Sequence, residues 1–405
     1  IQLILRRLEP AMKTMLNSVS RREMQTLSID HAEAFGLFRS WPDKGRNREG
    51  LLADIEHGKR IVSLEPKLTE AYVVITQSME HLSVLLPPDE YAVVVEDLRQ
   101  VLKEVLLPVD DSEMGRFAQI VFAEATADLM LEEKLSRERI IFGPPEESKE
   151  RRHYSFYYTL YANLLWKSGL FEMADTYYRI GLRRCRDAGR CKGSEDFRES
   201  FQTVLWRDGA KAAIAYNEAL SPLKESRSTM LISSRLGWAA FLGDFETANY
   251  CLQKLQELEG GVYAAHGKLV IDLYQSLTSG DSKRFTQRLR ESQATNFSKG
   301  LLFANLGLVE QALSAWRQRG LGERKLLVDI IRIQEFKFPE SFRQDRRYQN
   351  FLEDLGIGRT WIAYLSARIN ELQSFTEITS TPPTIGGVLS VPPRADHQSP
   401  PLESS

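Results

Sequence analysis

Apolar residues recur at intervals of three and four positions along most of the chain, the spacing that places them on one face of an α-helix. The set Val94, Leu98, Val101, Leu102 and Val105 is one example. The alternation with period two that is typical of half-buried strands is scarce. The one Asp-Gly pair, Asp208-Gly209, lies between helical patterns and not between strands. The pattern therefore predicts an all-α protein.

Proline and glycine divide this helical pattern into short segments, and the composition changes near the C-terminus. From about Ser374 onward the chain is rich in Pro, Ser, Thr and Gly and carries few large apolar residues. Such a composition cannot bury enough apolar surface to offset the entropy of ordering. We predict that residues 373–405 form a disordered tail.

Three of the helical segments share one internal spacing, in which a glycine is followed two residues later by a large apolar residue and five residues later by an alanine. The members are Gly169, Phe171 and Ala174; Gly243, Phe245 and Ala248; and Gly307, Val309 and Ala312. Glycine suits the left-handed position that ends a helix. The alanine suits a position where two helices cross closely. The spacing predicts helix hairpins.

This pattern resembles the tetratricopeptide repeat, a helix-turn-helix unit of about 34 residues. The similarity is strongest over 158–182, 232–255 and 297–320, moderate over 50–80 and weak over 85–145. Less regular copies place further turns at 207 and 280. The resemblance implies a right-handed superhelical solenoid of helix hairpins, in which each unit covers the apolar face of the next.

The end of the helical region, residues 338–356, is similar to the segment that closes such arrays in bacterial multidomain regulators, where the array follows a winged-helix or nucleotide-cyclase domain. The resemblance implies four parts: 1–30, a helical segment at the end of or linking from an upstream domain; 31–148, divergent repeats; 149–372, repeats with the closing segment; and 373–405, the tail. The chain starts at Ile1 without an initiator methionine, which favours a piece of a longer protein.

The family binds partners in the concave groove that its first helices line, and the resemblance places seven residues there. They are Phe156, Thr159, Asn163, Lys167, Phe297, Leu301 and Asn305. In chaperone-binding relatives an Asn and a Lys clamp a peptide carboxylate. Asn163 and Lys167 match two such positions, whereas Thr159 replaces a lysine. We therefore expect an apolar or mixed groove and not a complete carboxylate clamp. Tyr158 and Tyr161 occupy positions that predict core packing.

The amino-acid composition narrows the class of protein further. The chain has 405 residues, of which 42% are hydrophobic and 27% charged, with a net charge of −2. This balance is that of a globular protein and argues against one that coats nucleic acid. Three cysteines are too few for a disulfide framework. No stretch reaches the roughly 18 apolar residues that span a bilayer. We expect a cytoplasmic protein that does not enter membranes.

The residues that carry chemistry show no catalytic pattern. The six histidines lack the spacing of metal ligands. The segment from Gly261 to Gly267-Lys268 has one residue too many for a phosphate-binding loop, and Leu269 replaces the hydroxyl residue; we interpret it as a helix start. The basic run 183–192 fits the end of a helix, with contact to an acidic partner left open. The sequence thus predicts no catalytic residue, cofactor or metal.

These observations favour a non-catalytic scaffold that binds a protein or peptide partner, or another copy of itself, in its groove. The resemblance to regulators implies the sensory or oligomerisation part of a bacterial signalling or transcriptional regulator. Two alternatives remain: an all-helical enzyme, and a helical repeat protein that binds nucleic acid through the basic run, although the charge balance disfavours the latter.

Overall fold

The computed structural model describes residues 34, 37, 48–65, 68–82, 86, 88–101, 113–142, 154–187, 201–220, 222–226, 229–258, 261–292, 294–317 and 321–376. Within these ranges there are eighteen α-helices and no strand. The prediction of an all-α protein is confirmed for this part of the chain. The predicted segment 1–30 lies outside the described residues.

The helices are α1 Arg48–Leu64, α2 Thr69–Leu82, α3 Pro88–Val101, α4 Glu113–Ala125, α5 Leu129–Phe142, α6 Tyr154–Lys167, α7 Phe171–Asp187, α8 Phe201–Leu220, α9 Thr229–Phe241, α10 Phe245–Glu257, α11 Gly261–Ser279, α12 Ser282–Glu291, α13 Asn296–Asn305, α14 Val309–Arg317, α15 Leu321–Gln334, α16 Glu340–Gln344, α17 Arg346–Leu355 and α18 Arg359–Thr376, with a 3-10 turn at Glu335–Lys337 after α15. Consecutive helices pack in pairs: α1 on α2, α4 on α5, α6 on α7, α9 on α10, α11 on α12 and α13 on α14.

The three glycines of the shared spacing form the same turn. Gly169, Gly243 and Gly307 have φ of 79°, 78° and 75°, in the left-handed region that favours glycine. The residue after each glycine donates its N–H to a carbonyl five residues earlier. These bonds are Leu170 to Leu165, Asp244 to Ala239 and Leu308 to Phe303, all 2.9 Å. Each glycine also donates its own N–H to the carbonyl three residues earlier, at 3.0 Å in all three turns. This pair of hydrogen bonds defines the Schellman motif, which ends a helix.

The alanines five residues after these glycines are completely buried. Ala174, Ala248 and Ala312 are each 0% exposed. In the last hairpin the close approach also depends on Gly300 of α13, because a β-carbon there would lie 2.1 Å from the indole nitrogen of Trp316. Small residues therefore set the distance between the two helices of that hairpin.

One predicted turn is misplaced. The sequence put a turn at 207, but Arg207 lies within α8, and the break falls two residues later at Gly209, which has φ 85° and ψ 174°. The turn at Gly280 is found, with φ 76°. Phe285, which stands where the spacing expects alanine, is 1% exposed and belongs to the core.

A hairpin that the sequence matched only weakly uses the same turn without glycine. Between α4 and α5, Ala127 adopts φ 53°, the one positive φ of a non-glycine residue among those described. Its neighbour Asp128 donates to the carbonyl of Ala123 at 2.8 Å. This turn therefore lacks the glycine of the shared spacing but keeps the left-handed residue and the hydrogen bond that spans five residues.

The C-terminal helices do not continue the series of hairpins but pack against helices from distant parts of the chain. We call α15 to α18, residues 321–376, the C-terminal clasp. In it, α15 packs against α3, α6 and α13, while α18 packs against α5 and α17. The clasp is anchored locally by Trp316 of α14, whose ring stacks on Phe351 with centroids 5.4 Å apart. Helix α18 continues to Thr376, past the predicted start of the tail at 373; residues 377–405 lie outside the described residues.

Candidate functional site

The predicted groove residues of α6 have different environments. The ring-bearing neighbours Tyr158 and Tyr161 are 0% exposed, so the core placement expected for them is confirmed. Phe156 lies in the first turn of α6, and its side chain is outside the described part. Thr159 is half-buried, and its hydroxyl oxygen has no hydrogen-bond partner among the described residues. Asn163 is exposed.

The predicted residues of α13 take part in contacts within the hairpins. Tyr274 donates its hydroxyl to Oδ1 of Asn305 at 3.0 Å, and Nδ2 of Asn305 donates to the carbonyl of Leu301 at 2.8 Å. Leu301 is buried, and Phe297 is half-buried. The polar groups of Asn305 are therefore held by its own neighbourhood.

Helix α15 lies against both helices that carry the predicted groove residues. It packs on α6, which carries Thr159, Asn163 and Lys167, and on α13, which carries Phe297, Leu301 and Asn305. A segment of the same chain thus covers part of the surface that the sequence assigned to a partner.

The contact between α6 and α15 centres on Lys167, which is 7% exposed. Its Nζ lies 2.5 Å from Glu124 Oε1, 3.4 Å from Glu132 Oε1 and 3.4 Å from Asp329 Oδ1. Nζ of Lys325 lies 2.6 Å from the other oxygen of Asp329. We call these five side chains the charge cluster. It joins α4, α5, α6 and α15.

Burial and mutual charge set the protonation of the charge cluster. Burial raises the pKa of Glu132 to about 8, with Lys167 opposing this shift and the neighbouring carboxylates adding to it. The second oxygen of Glu132 is buried and has no hydrogen-bond partner within the described part of the chain. For Lys167, burial acts to lower the pKa, but the carboxylates of Glu124, Glu132 and Asp329 outweigh it and raise the pKa. Glu132 is therefore mostly protonated at neutral pH, chiefly because burial deprives its charged form of water, and the nearby carboxylates add to this effect.

Asp329 keeps its charge for the complementary reason. Burial acts to raise the pKa of this carboxyl, but the ammonium groups of Lys167 and Lys325 outweigh that effect and lower it. The carboxylate that α15 brings to Lys167 is therefore an anion, as a peptide carboxylate would be.

A second set of contacts joins the clasp to α5, α6 and the turn after α6. The indole N–H of Trp361 donates to Oγ of Ser168 at 2.8 Å, and the hydroxyl of Tyr364 donates to Glu133 at 3.1 Å. Arg332 packs beside Gly169, where a β-carbon would lie 3.2 Å from its Cδ. The absence of a side chain at Gly169 thus serves both the turn and the clasp.

Sequence reasoning found Lys167 but missed the carboxylates and the clasp residues that surround it. One signal was present: Asp329 and Arg332 interrupt the apolar run Leu326-Leu-Val-Asp-Ile-Ile-Arg-Ile333 at helical spacing. Charged residues on the apolar face of a helix are rare unless they are paired. That pattern could have predicted buried partners, but not which ones.

The other candidate residues give the following outcomes. Gly261 begins α11, so the helix start expected there is confirmed. Arg183 is exposed on α7, which ends at Asp187; the rest of the basic run is outside the described side chains. Cys251 is buried, and burial raises the pKa of its thiol to about 12. Among the described residues no group of His, Cys, Asp and Glu has the arrangement of a metal site.

Compared with protein-family models, curated proteins and solved structures, the chain gives no match. In the described part, no helix has the length and apolar character that crossing a bilayer requires.

Proposed function

We propose that the chain is a non-catalytic scaffold: a right-handed superhelical solenoid of tetratricopeptide-like hairpins that binds a protein or peptide partner on its inner surface. It would act in the cytoplasm as the sensory or oligomerisation part of a bacterial signalling or transcriptional regulator. The observation that carries the proposal is the recurrence of one hairpin turn at Gly169, Gly243 and Gly307 with equal hydrogen bonds.

Repetition supports this class because a helix hairpin cannot bury its apolar face alone. Stacked hairpins form an extended and rigid surface, and a partner that binds a rigid surface loses little free energy to reorganisation. The surface is also chemically suited to a helical segment. Helix α15 already lies on α6 and α13 and brings the carboxylate of Asp329 to Lys167.

Asn163 is exposed on α6, so a partner can reach this part of the predicted groove. A peptide library displayed on phage and selected against the whole chain tests the proposal. Selected peptides should bind the parent chain and lose at least about tenfold in affinity to Asn163→Arg, because the long charged side chain would fill the surface beside α6.

Asn249→Arg provides the matched control. Asn249 is also an exposed asparagine, but it lies on α10, the second helix of its hairpin. Its substitution should leave the affinity unchanged. Selection of no peptide above background, or an equal loss in both variants, would contradict the proposed groove.

A further inference from the structure

The outward face of α12 carries four exposed basic side chains within a helix of ten residues. They are Lys283, Arg284, Arg288 and Arg290. The opposite face of the helix is buried through Phe285 and Leu289, at 1% and 0% exposure, and the helix packs on α11 and α13. Helix α12 is therefore held in place by its apolar face, and its cations are turned toward solvent.

Two lysines of the neighbouring helices extend this positive surface. Lys299 of α13 donates from Nζ to the carbonyl of Arg290, near the end of α12, at 3.3 Å. Lys268 of α11 is exposed and lies one helical turn before Asp272, whose Oδ2 is 3.6 Å from Nη1 of Arg288. We call Lys268, Lys299 and the four cations of α12 the basic patch.

Acidic residues offset only part of the charge of the basic patch. Residues 261–305 contain six basic and three acidic side chains, a net charge of +3, in a chain whose net charge is −2. On α12, Arg288 forms an ion pair, whereas Lys283, Arg284 and Arg290 form none with any acid in the described part of the chain. The patch is therefore a local excess of positive charge on a chain that is otherwise acidic.

Two of these cations lie where they lower the stability of α12. Lys283 and Arg284 are in the first turn, where the positive end of the helix dipole repels a cation. Arg284 also lies four residues before Arg288, and like charges at that spacing repel each other. Charges that weaken a helix without a gain in packing are expected at functional sites. These two residues therefore indicate a role outside the fold.

We propose that the basic patch binds an acidic segment of a partner protein, separately from the predicted groove. Complementary charge selects an anionic partner and speeds its encounter with the patch. Ten residues of helix are about 15 Å long, which matches about four or five residues of an extended chain. A short run of Asp and Glu residues is therefore enough to cover the face of α12.

The exposed side chains of α12 favour an acidic peptide over nucleic acid or a membrane. Phe285, the aromatic residue of this helix, is buried, so α12 offers no ring on which a base could stack. The exposed positions of the helix hold no apolar side chain that could enter a bilayer. Carboxylates need neither feature, because lysine and arginine bind them through charged hydrogen bonds.

A fluorescently labelled peptide of eight glutamates tests the basic patch, with binding to the whole chain measured by fluorescence anisotropy. The parent chain should bind the peptide at an ionic strength of about 0.01 M and lose at least about tenfold in affinity at about 0.1 M, because the screening length falls from about 30 Å to about 10 Å. The double variant Lys283→Glu with Arg284→Glu should lose at least about tenfold at the lower ionic strength.

The matched control is the double variant Lys211→Glu with Lys224→Glu. Both lysines are exposed and lie outside the basic patch, and the change in net charge is the same as in the patch variant. The control should therefore change the affinity for the peptide by less than about threefold. No predicted groove residue is altered in either variant, so the result does not depend on the proposed groove.

Thermal unfolding separates a lost contact from lost folding. The patch variant places acids in the first turn of α12 and a Glu four residues before Arg288, so it should unfold at the temperature of the parent or higher. The proposal would be overturned by a lower unfolding temperature of the patch variant, by no peptide binding at low ionic strength, or by equal losses in the two double variants. It would also be overturned if an eight-nucleotide single-stranded DNA or phosphatidylserine vesicles bound more tightly than the peptide.

Discussion

The indole nitrogen of Trp361 donates a hydrogen bond of 2.8 Å to Oγ of Ser168, a residue 193 positions earlier in the chain. Both residues are buried, with 6% and 0% exposure. The serine hydroxyl in turn donates to the carbonyl of Leu164 at 2.7 Å, so its proton is engaged and its lone pair faces the indole. The C-terminal clasp is thereby joined to the turn between α6 and α7.

Ser168→Ala should lower the free energy of unfolding by about 1–3 kcal/mol, because it leaves a buried indole N–H without an acceptor. In a double-mutant cycle with Trp361→Phe the two losses should be less than additive, with a coupling of about 0.5–3 kcal/mol, measured by urea unfolding. Ser366→Ala is the control. Ser366 makes the same bond to a carbonyl four residues earlier, at 2.8 Å, and should change stability by less than about 0.5 kcal/mol. Equal losses for the two serines would refute the role of the long-range bond.

Ala127→Gly should stabilise the protein by at most about 1 kcal/mol, because the relief of backbone strain is partly offset by the loss of the methyl group of Ala127, a residue only 8% exposed. The left-handed conformation of Ala127, with φ 53°, costs an L-residue roughly 1–2 kcal/mol, which exceeds the entropy that glycine gains in the unfolded chain. Ala363→Gly, at an exposed position within α18, should do the opposite and cost about 1 kcal/mol. Thermal and urea unfolding of the two variants should therefore move in opposite directions; a loss at both positions would show that the strain is absent.

Gly300→Ala should destabilise the protein by about 1–3 kcal/mol. Helix propensity alone would favour alanine by about 1 kcal/mol, but the new β-carbon would lie 2.1 Å from the rigid indole of Trp316. In a Trp316→Leu background, where that contact is removed, Gly300→Ala should become neutral or stabilising. Loss of the same size in both backgrounds would mean that Trp316 is not the obstacle.

Glu132→Gln should make the protein more stable at pH 8.5 and flatten its pH dependence. The folded pKa of Glu132 is about 8, above its unfolded value of about 4.3, so the folded state binds the extra proton. Stability must then fall as the pH rises from about 4.3 to 8, and the neutral amide escapes this loss. At 1.36 kcal/mol per pKa unit, a shift of about 3.7 units sets an upper bound of about 5 kcal/mol on the gain at pH 8.5, and urea unfolding should show a gain of at least about 1 kcal/mol.

The corresponding control is Glu246→Gln, at an exposed carboxylate on α10. This variant should shift stability by less than about 0.5 kcal/mol at both pH 5.5 and pH 8.5. A Glu132→Gln variant that parallels the parent across this range would show that Glu132 does not carry a proton in the folded protein.

The sequence predicts the local part of this structure well, because local features leave local signals. The helical spacing predicted the all-α class, and the glycines at 169, 243 and 307 lie in the left-handed turns expected of them. The α4–α5 hairpin was matched only weakly because alanine, and not glycine, occupies its turn at 127. The turn expected at 207 falls at Gly209. The prediction missed by two residues because this copy of the repeat is one of the less regular ones, so the spacing did not define the position of its turn.

The clasp could not be predicted in the same way. Its contacts join residues far apart in the chain, such as Lys167 with Asp329, and no periodicity records which distant surface an apolar helix will cover. The groove residues illustrate the same limit: the resemblance assigned Lys167 to a partner, whereas three carboxylates of its own chain surround it. The other groove assignments stay predictions.

The docking of α18 on α5 also affects how the chain can be divided. In a solenoid where each repeat contacts only its neighbours, repeats can be removed from the end one at a time, and the shortened array stays folded. Here α18, the most C-terminal helix of the described residues, bonds to Ser168 and Glu133, which lie about 190 and 230 positions earlier in the chain. Truncation before Arg359 would remove α18 and expose buried surface on α5 and beside Ser168, far from the new end of the chain. Such a truncation should therefore lower the stability of the remaining helices instead of leaving a shorter array that folds equally well.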